Sequence, residues 1–342
     1  MRMTTNMQAQ VKRAIAALAL SALAISSGSA RAAASCPALR WTTLGTAGGP
    51  VPTAERSEPA NLLTIGERRI LVDTGDGTVD QLARIGLDLG GIDTVFISHN
   101  HLDHTGGLAA VIGLRWMNQF PGVLTVYGPV GTRAVVDGIV ASLATPGSIG
   151  FGLGTPPPRP ADSVRAVELA DGQSLDLGQG ASVKAVANSH FDHDGKSHSR
   201  PDASNVSLSY RFALGSRSLT YTGDTGPSAA VTALARGSDM FVTEIIALDA
   251  LLGEIRMRRK DASPEMLSGM ERHLSTHHLR PEAIGEIAAQ AGVGRVVLTH
   301  FAVPPGPLPQ YEPAIRAGIA ARYAGPVDLA RDLQSFDVGC RP

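Results

Sequence analysis

The feature that most narrows what this chain can fold into is a hexapeptide, His99-Asn100-His101-Leu102-Asp103-His104, placed directly behind the apolar run TVFIS at 94–98. That run has the length and β-branched content of a buried strand, and the residues after the hexapeptide, 105–117, have helical length and apolar spacing. The hexapeptide therefore sits where a strand turns into a helix. Side chains two apart along an extended strand end point the same way, so His99 and His101 can grip one cation. Asp103 and His104 follow once the chain has turned, and can face a second cation close by. Imidazoles with a carboxylate suit zinc; with no thiolate in the motif, iron and manganese stay open.

Strand-like and helix-like segments alternate through the rest of the chain. Segments 61–65 and 69–73 read as paired strands, 79–85 as a helix, 124–126 as a strand and 133–143 as a helix. The Pro/Gly-rich stretch 145–162 reads as a long loop near the site. Strands are then expected at 183–187, 206–212, 218–222, 240–243 and 295–298, with helices at 228–234 and 281–291. Two halves, each with strands followed by helices, imply sheets packed between helical layers. Hydrophobic residues at 43% and charged residues at 18% supply a large core. Thirty Lys+Arg against 31 Asp+Glu leave a net charge of -1, and aromatics reach only 4%; bulk charge and composition therefore speak against a nucleic-acid partner. The basic run at 256–260 is either a solvated helix face or a steering patch for an anion.

Arg2, Lys12 and Arg13 precede an uncharged run at 14–25, and Ala30-Arg31-Ala32 supplies a small-residue cleavage site. This reads as a signal peptide over residues 1–32. The run is too short to span a bilayer comfortably, so the expected location is periplasmic or secreted, with no stable membrane insertion after cleavage. Residues 33–342 are expected to form a single domain. Cys36 and Cys340 stand near its two ends, and in an oxidising compartment a disulfide between them is expected.

The pattern H-x-H-x-D-H at 99–104 resembles the signature of the metallo-β-lactamase superfamily, and three further segments follow in that family's order. By this resemblance His190, just after VKAVAN, is the third histidine of a first metal site; His193 and His198 in the same loop are the alternatives. Asp224, in LTYTGDT, resembles the strand-end aspartate that bridges both metals. His300, in RVVLTHF, matches the last histidine ligand. The opening LGTAGGPVPTAER at 44–56, the segment ILVDTG at 70–75 and HLRPE at 278–282 are similar to the ribonuclease Z and arylsulfatase-like branch. That branch carries a catalytic histidine that binds no metal, which implies His278, expected after an irregular run at 275–277 and just before the helix opened by Pro281, with the neighbouring His277 leaving the register open.

The resemblance implies an α/β fold, a four-layer αββα sandwich of two mixed sheets between helical layers. It also implies two Zn2+ ions, with His99, His101 and His190 on one, Asp103, His104 and His300 on the other, and Asp224 on both. Two cations sharing a carboxylate lower the pKa of a water held between them toward neutrality. Asp103 would orient that water, and His278 would stabilise developing charge or protonate the leaving oxygen. Asp73 is expected to orient a ligand histidine through its other nitrogen, and Glu244 either does the same or caps a helix. The interval from His190 to Asp224 leaves no room for the long tRNA-holding arm of ribonuclease Z enzymes, and an exported protein meets no tRNA precursor. The expectation is thus an exported hydrolase of small anionic phosphodiesters or sulfate esters, with no nucleic acid as partner. A lactonase or β-lactamase, and a non-catalytic metal-binding scaffold, are the alternatives; the oligomeric state is open, a homodimer being one option.

Overall fold

The computed structural model of the protein describes residues 37–49, 51–149, 152, 158–192 and 205–339. The expected leader at 1–32, both cysteines, Cys36 and Cys340, and the alternative ligands His193 and His198 lie outside the described residues.

Along the chain the strands are β1 (Leu39–Gly45), β2 (Ala60–Ile65), β3 (Arg68–Thr74), β4 (Ile92–Phe96), β5 (Leu124–Gly128), β6 (Val164–Glu168) and β7 (Ser174–Gly178). They continue with β8 (Ala181–Ala187), β9 (Leu208–Leu214), β10 (Arg217–Tyr221), β11 (Met240–Ile246), β12 (Val296–Ala302), β13 (Val327–Leu329) and β14 (Gln334–Asp337). They form two seven-stranded sheets, in the orders β14-β1-β2-β3-β4-β5-β6 and β13-β12-β11-β10-β9-β8-β7. Each sheet is mixed: β3 to β6 pair in parallel on one side, as do β10 to β13 on the other, and the remaining neighbours are antiparallel.

Why the central strands are apolar without a break follows from the period of two. On β3, Ile70 and Val72 face a core between the sheets while Leu71 faces outward; on β4, Phe96 faces inward while Val95 faces outward. The second sheet repeats this, with Met240 and Val242 inward and Phe241 outward. Helices cover both outer faces. α1 (Thr78–Arg84), α2 (Leu102–Thr105), α3 (Leu108–Met117) and α4 (Thr132–Ser142) lie along the first sheet's side of the chain, where Leu82, Val111, Ile112 and Val136 pack on Leu71 and Val95. α5 (Ala229–Ala235), α6 (Leu248–Arg258), α7 (Pro264–His277), α8 (Pro281–Ala291) and α9 (Glu312–Ala320) follow, and Val231, Ile284, Ile287 and Ile319 pack on Phe241, Val296 and Leu298. The layers are therefore helix, sheet, sheet, helix, as expected; each buried aliphatic or aromatic side chain contributes roughly 1.5–3 kcal/mol.

Several boundaries differ from the sequence reading for local reasons. The helix expected at 105–117 is two helices, α2 and α3, broken at Gly106 and Gly107, where a Cβ on Gly107 would collide with the carbonyl oxygen of Gly75. The run 275–277, expected to be irregular, is the last turn of α7. β12 runs on to Ala302, so His300 lies inside a strand instead of after one.

Candidate metal centre

The expected ligands converge because the strands that carry them end on one rim. His99, His101, Asp103 and His104 follow β4, His190 follows β8, Asp224 follows β10, and His300 lies near the end of β12. The segment after β1 ties the two sheets together there: Gly48 N donates to Phe301 O at 3.1 Å and Phe301 N to Thr46 O at 2.9 Å. The glycine-rich opening has a packing reason, since a Cβ on Gly49 would collide with Asp103 Oδ2.

Three overlapping groups of ligand atoms result among the described residues. His99, His101 and His190 form one, and Asp103, His104, Asp224 and His300 another; His190, Asp224 and His278 form a third that spans the two, with the donor atoms of each group within 4.8 Å of one another. In the first, His101 Nδ1 lies 3.0 Å from His99 Nε2 and 3.3 Å from His190 Nε2. In the second, Asp224 Oδ1 lies 3.3 Å from His104 Nε2 and 3.2 Å from His300 Nε2. Asp103 Oδ2 is 3.6 Å from each of those two nitrogens. The other oxygen of Asp224, Oδ2, lies 4.0 Å from His99 Nε2, so one carboxylate faces both groups.

The ring orientations are fixed from behind. His104 Nδ1 donates to Asp73 Oδ2 at 2.8 Å, which turns Nε2 toward the centre. Asp73 also accepts from Ser98 N at 2.6 Å, Ser98 Oγ at 2.8 Å and the Tyr221 hydroxyl at 2.7 Å. His190 Nδ1 donates to the carbonyl of His277 at 3.0 Å. His278, 8% exposed, donates from Nδ1 to Glu244 Oε2 at 2.7 Å, and Glu244 Oε1 accepts from Thr225 N at 2.7 Å. Glu244 is thus an orienting partner of His278 and not a helix cap. Asp73 and His300 both have left-handed backbone, φ 56° and 45°, a conformation costing on the order of 1–3 kcal/mol for non-glycine residues and typical of functional sites.

Electrostatics separate the groups. Burial holds His99 and His190 well below the ordinary histidine range. Burial would lower His104 and His300 as well, but the carboxylates, Asp224 foremost, outweigh it and raise both. For Asp103, burial pushes upward but His104 and His300 bring it down to about 2. Burial likewise opposes the charged form of His278, yet the charge of Glu244 and the hydrogen bond to it raise that ring to about 9.

Buried atoms left without hydrogen bonds test whether this set fits metal. His104 Nε2, Asp224 Oδ1 and both ring nitrogens of His300 are buried and make no hydrogen bond, although Asp224 Oδ1 lies 3.2–3.3 Å from His300 Nε2 and His104 Nε2; a buried polar atom without a hydrogen bond costs about 1–3 kcal/mol. Imidazole nitrogens and carboxylate oxygens are the donors that zinc-class cations take. The residues fit. Sequence reasoning did not find Ser98 and Tyr221 as partners of Asp73, because Tyr221 arrives from the other sheet, 148 positions away.

A family model described as "Beta-lactamase superfamily domain" matches residues 68–301. The chain is 28% identical over 309 residues to ribonuclease Z of Mycobacterium marinum, covering 88% of this chain and 99% of the relative. It is 30% identical over 306 residues to ribonuclease Z of Mycobacterium avium, covering 87% and 97%. Among solved structures, the metallo-β-lactamase fold protein YhfI from Bacillus subtilis aligns with TM-score 0.63 and 17% identity over 88% of this chain and 100% of that one. The short form of human tRNase Z aligns with TM-score 0.60 and 20% identity, with the same coverage. Relatives named as ribonucleases overturn the expectation that nucleic acid is no partner. That expectation rested on net charge and aromatic content, which average over a whole surface and do not report the potential near one site, and on the missing arm and expected export, which bear on one kind of RNA only.

Proposed function

The chain belongs to the β-lactamase superfamily and is a metal-dependent hydrolase, and from that premise we propose that its site cleaves phosphodiesters, RNA among them. The observation that carries this reading is Asp224, whose two oxygens face two ligand groups beside a buried His278–Glu244 pair. In the proposed site His99, His101 and His190 would hold one cation and Asp103, His104 and His300 a second, with Asp224 available to both. Zinc-class ions bound there would supply Lewis acidity toward an ester oxygen and bring the pKa of water near neutrality.

The chain's own residues do the rest. Asp73 keeps the His104 ring turned inward, and the Asp103 carboxylate stays ionised as an acceptor at the reacting end. His278, held protonated by Glu244, faces the leaving oxygen and donates its proton there. Export by the leader at 1–32 is part of the proposal; N-terminal sequencing of protein from a periplasmic fraction tests it, and an intact Met1 would remove it.

Substrate and proton donor are tested together. Metal-loaded protein is offered an aryl phosphodiester, an aryl sulfate and an RNA oligonucleotide in parallel, with phosphodiester turnover expected and turnover of the sulfate alone overturning the reading. His278→Ala should keep its metal while kcat falls roughly 10²–10⁴-fold, the usual contribution of a positioned acid. Loss of metal from that variant would make His278 a ligand instead.

A further inference from the structure

We infer that His273 and His277 form an accessory site for one zinc-class divalent cation on the rim of the centre, separate from its seven ligands. Both lie on α7, four residues apart, a spacing that stacks side chains on one helix face. Their Nδ1 atoms are 2.8 Å apart. His277 Nε2 donates to the carbonyl of Asp192 at 3.0 Å. A neutral imidazole donating from one nitrogen presents a lone pair at the other, so His277 offers Nδ1 as a ligand atom toward His273.

Two nitrogens bound to one zinc at 2.0–2.1 Å lie about 2.9–3.4 Å apart for angles between a right angle and tetrahedral. The pairs His99–His101 and His101–His190 fall within that span at 3.0 and 3.3 Å. The His273–His277 pair reaches it when the rings open by a few tenths of an ångström, and solvent reaches both side chains. Two imidazoles are fewer ligands than either group of the centre supplies, so this site binds more weakly than the centre.

The pair stands close to the chemistry. The His273 ring centroid is 6.1 Å from His190 and 6.0 Å from His278. A cation here places positive charge and bound water beside His278, so excess zinc inhibits. This second half rests on the proposed role of His278; the binding half does not.

Equilibrium dialysis of the metal-loaded protein against zinc tests the binding half. The wild type should take up one weaker equivalent beyond its tightly held metal. His273→Ala and His277→Ala should each weaken that equivalent at least 10–100-fold, the effect of losing even an outer partner at a metal site, and should keep the tight metal. An equivalent that persists in both variants, or none in the wild type, overturns the site and leaves the pair a hydrogen bond only. Zinc inhibition equal in wild type and His273→Ala overturns the inhibitory half. Full activity of His278→Ala with the weak equivalent intact separates failure of the functional reading from failure of the site.

Discussion

The two ligand groups of the centre are held by different kinds of partner. In the aspartate-bearing group, His104 is fixed by a buried carboxylate, Asp73, which is itself held by donors from both sheets. In the three-histidine group, His190 is fixed by a main-chain carbonyl at the end of α7, a helix with no buried residue. One group is thus anchored in the core; in the other, buried His99 meets Ser98 Oγ at 3.1 Å, while His190 depends on how firmly a surface helix docks. A side-chain anchor can be removed by substitution, whereas a carbonyl cannot.

Predictions that break or sharpen this contrast are graded by what the two groups share. Asp224 serves both, so Asp224→Ala should release both ions and reduce turnover to background; elemental analysis showing one ion retained would show that the groups are independent. Asp73→Ala removes the direct anchor of His104 and reaches the three-histidine group only through Ser98 Oγ, 3.1 Å from His99 Nδ1. It should weaken one of two metal equivalents by roughly 10–100-fold, as loss of an outer partner does, and the other by less; chelator competition that weakened both equally would erase the distinction. His277→Ala should leave both tightly held ions in place, because the group that holds His190 is a carbonyl that the substitution retains. Loss of tight metal there would mean that the His277 ring, not its backbone, anchors the three-histidine group.

What could be read from the sequence follows the same division. His99 to His104 were legible because strand and helix geometry convert their spacing directly into direction, and Asp224 and His300 because the segments LTYTGDT and RVVLTHF resemble those of the family; Asp224 follows β10, while His300 lies inside β12. His278 was expected after an irregular run, whereas it is the residue at which α7 stops. The Tyr221–Asp73 contact was not legible, since nothing local to either residue announces a partner on another sheet. β6 and β7 were missed for a related reason. They are five-residue edge strands: β6 buries only Val164 and Ala166, and β7 alternates exposed and half-exposed residues, and so short or wet a pattern looks like loop until its neighbour is known. The partner reading failed partly at the level of averaging, because a chain-wide charge balance carries no spatial information, and partly because the missing arm and the expected export were taken to exclude every nucleic acid when they concern tRNA precursors.

The continuous apolarity of the central strands has one more consequence. A strand with one wet face is penalised at once if it slides by a residue, because its apolar side chains turn to solvent. Here sliding would exchange one dry face for another, so burial alone discriminates weakly between alignments. The polar reaches across the gap discriminate strongly: the Tyr221 hydroxyl meets Asp73 at 2.7 Å and the Tyr210 hydroxyl meets the carbonyl of Ile97 at 2.6 Å. A buried hydroxyl or carboxylate that misses its partner costs about 1–3 kcal/mol. The groups that aim the metal ligands therefore also act as the ruler by which the two sheets find their alignment, and a chain that has set them correctly has assembled its centre in the same step.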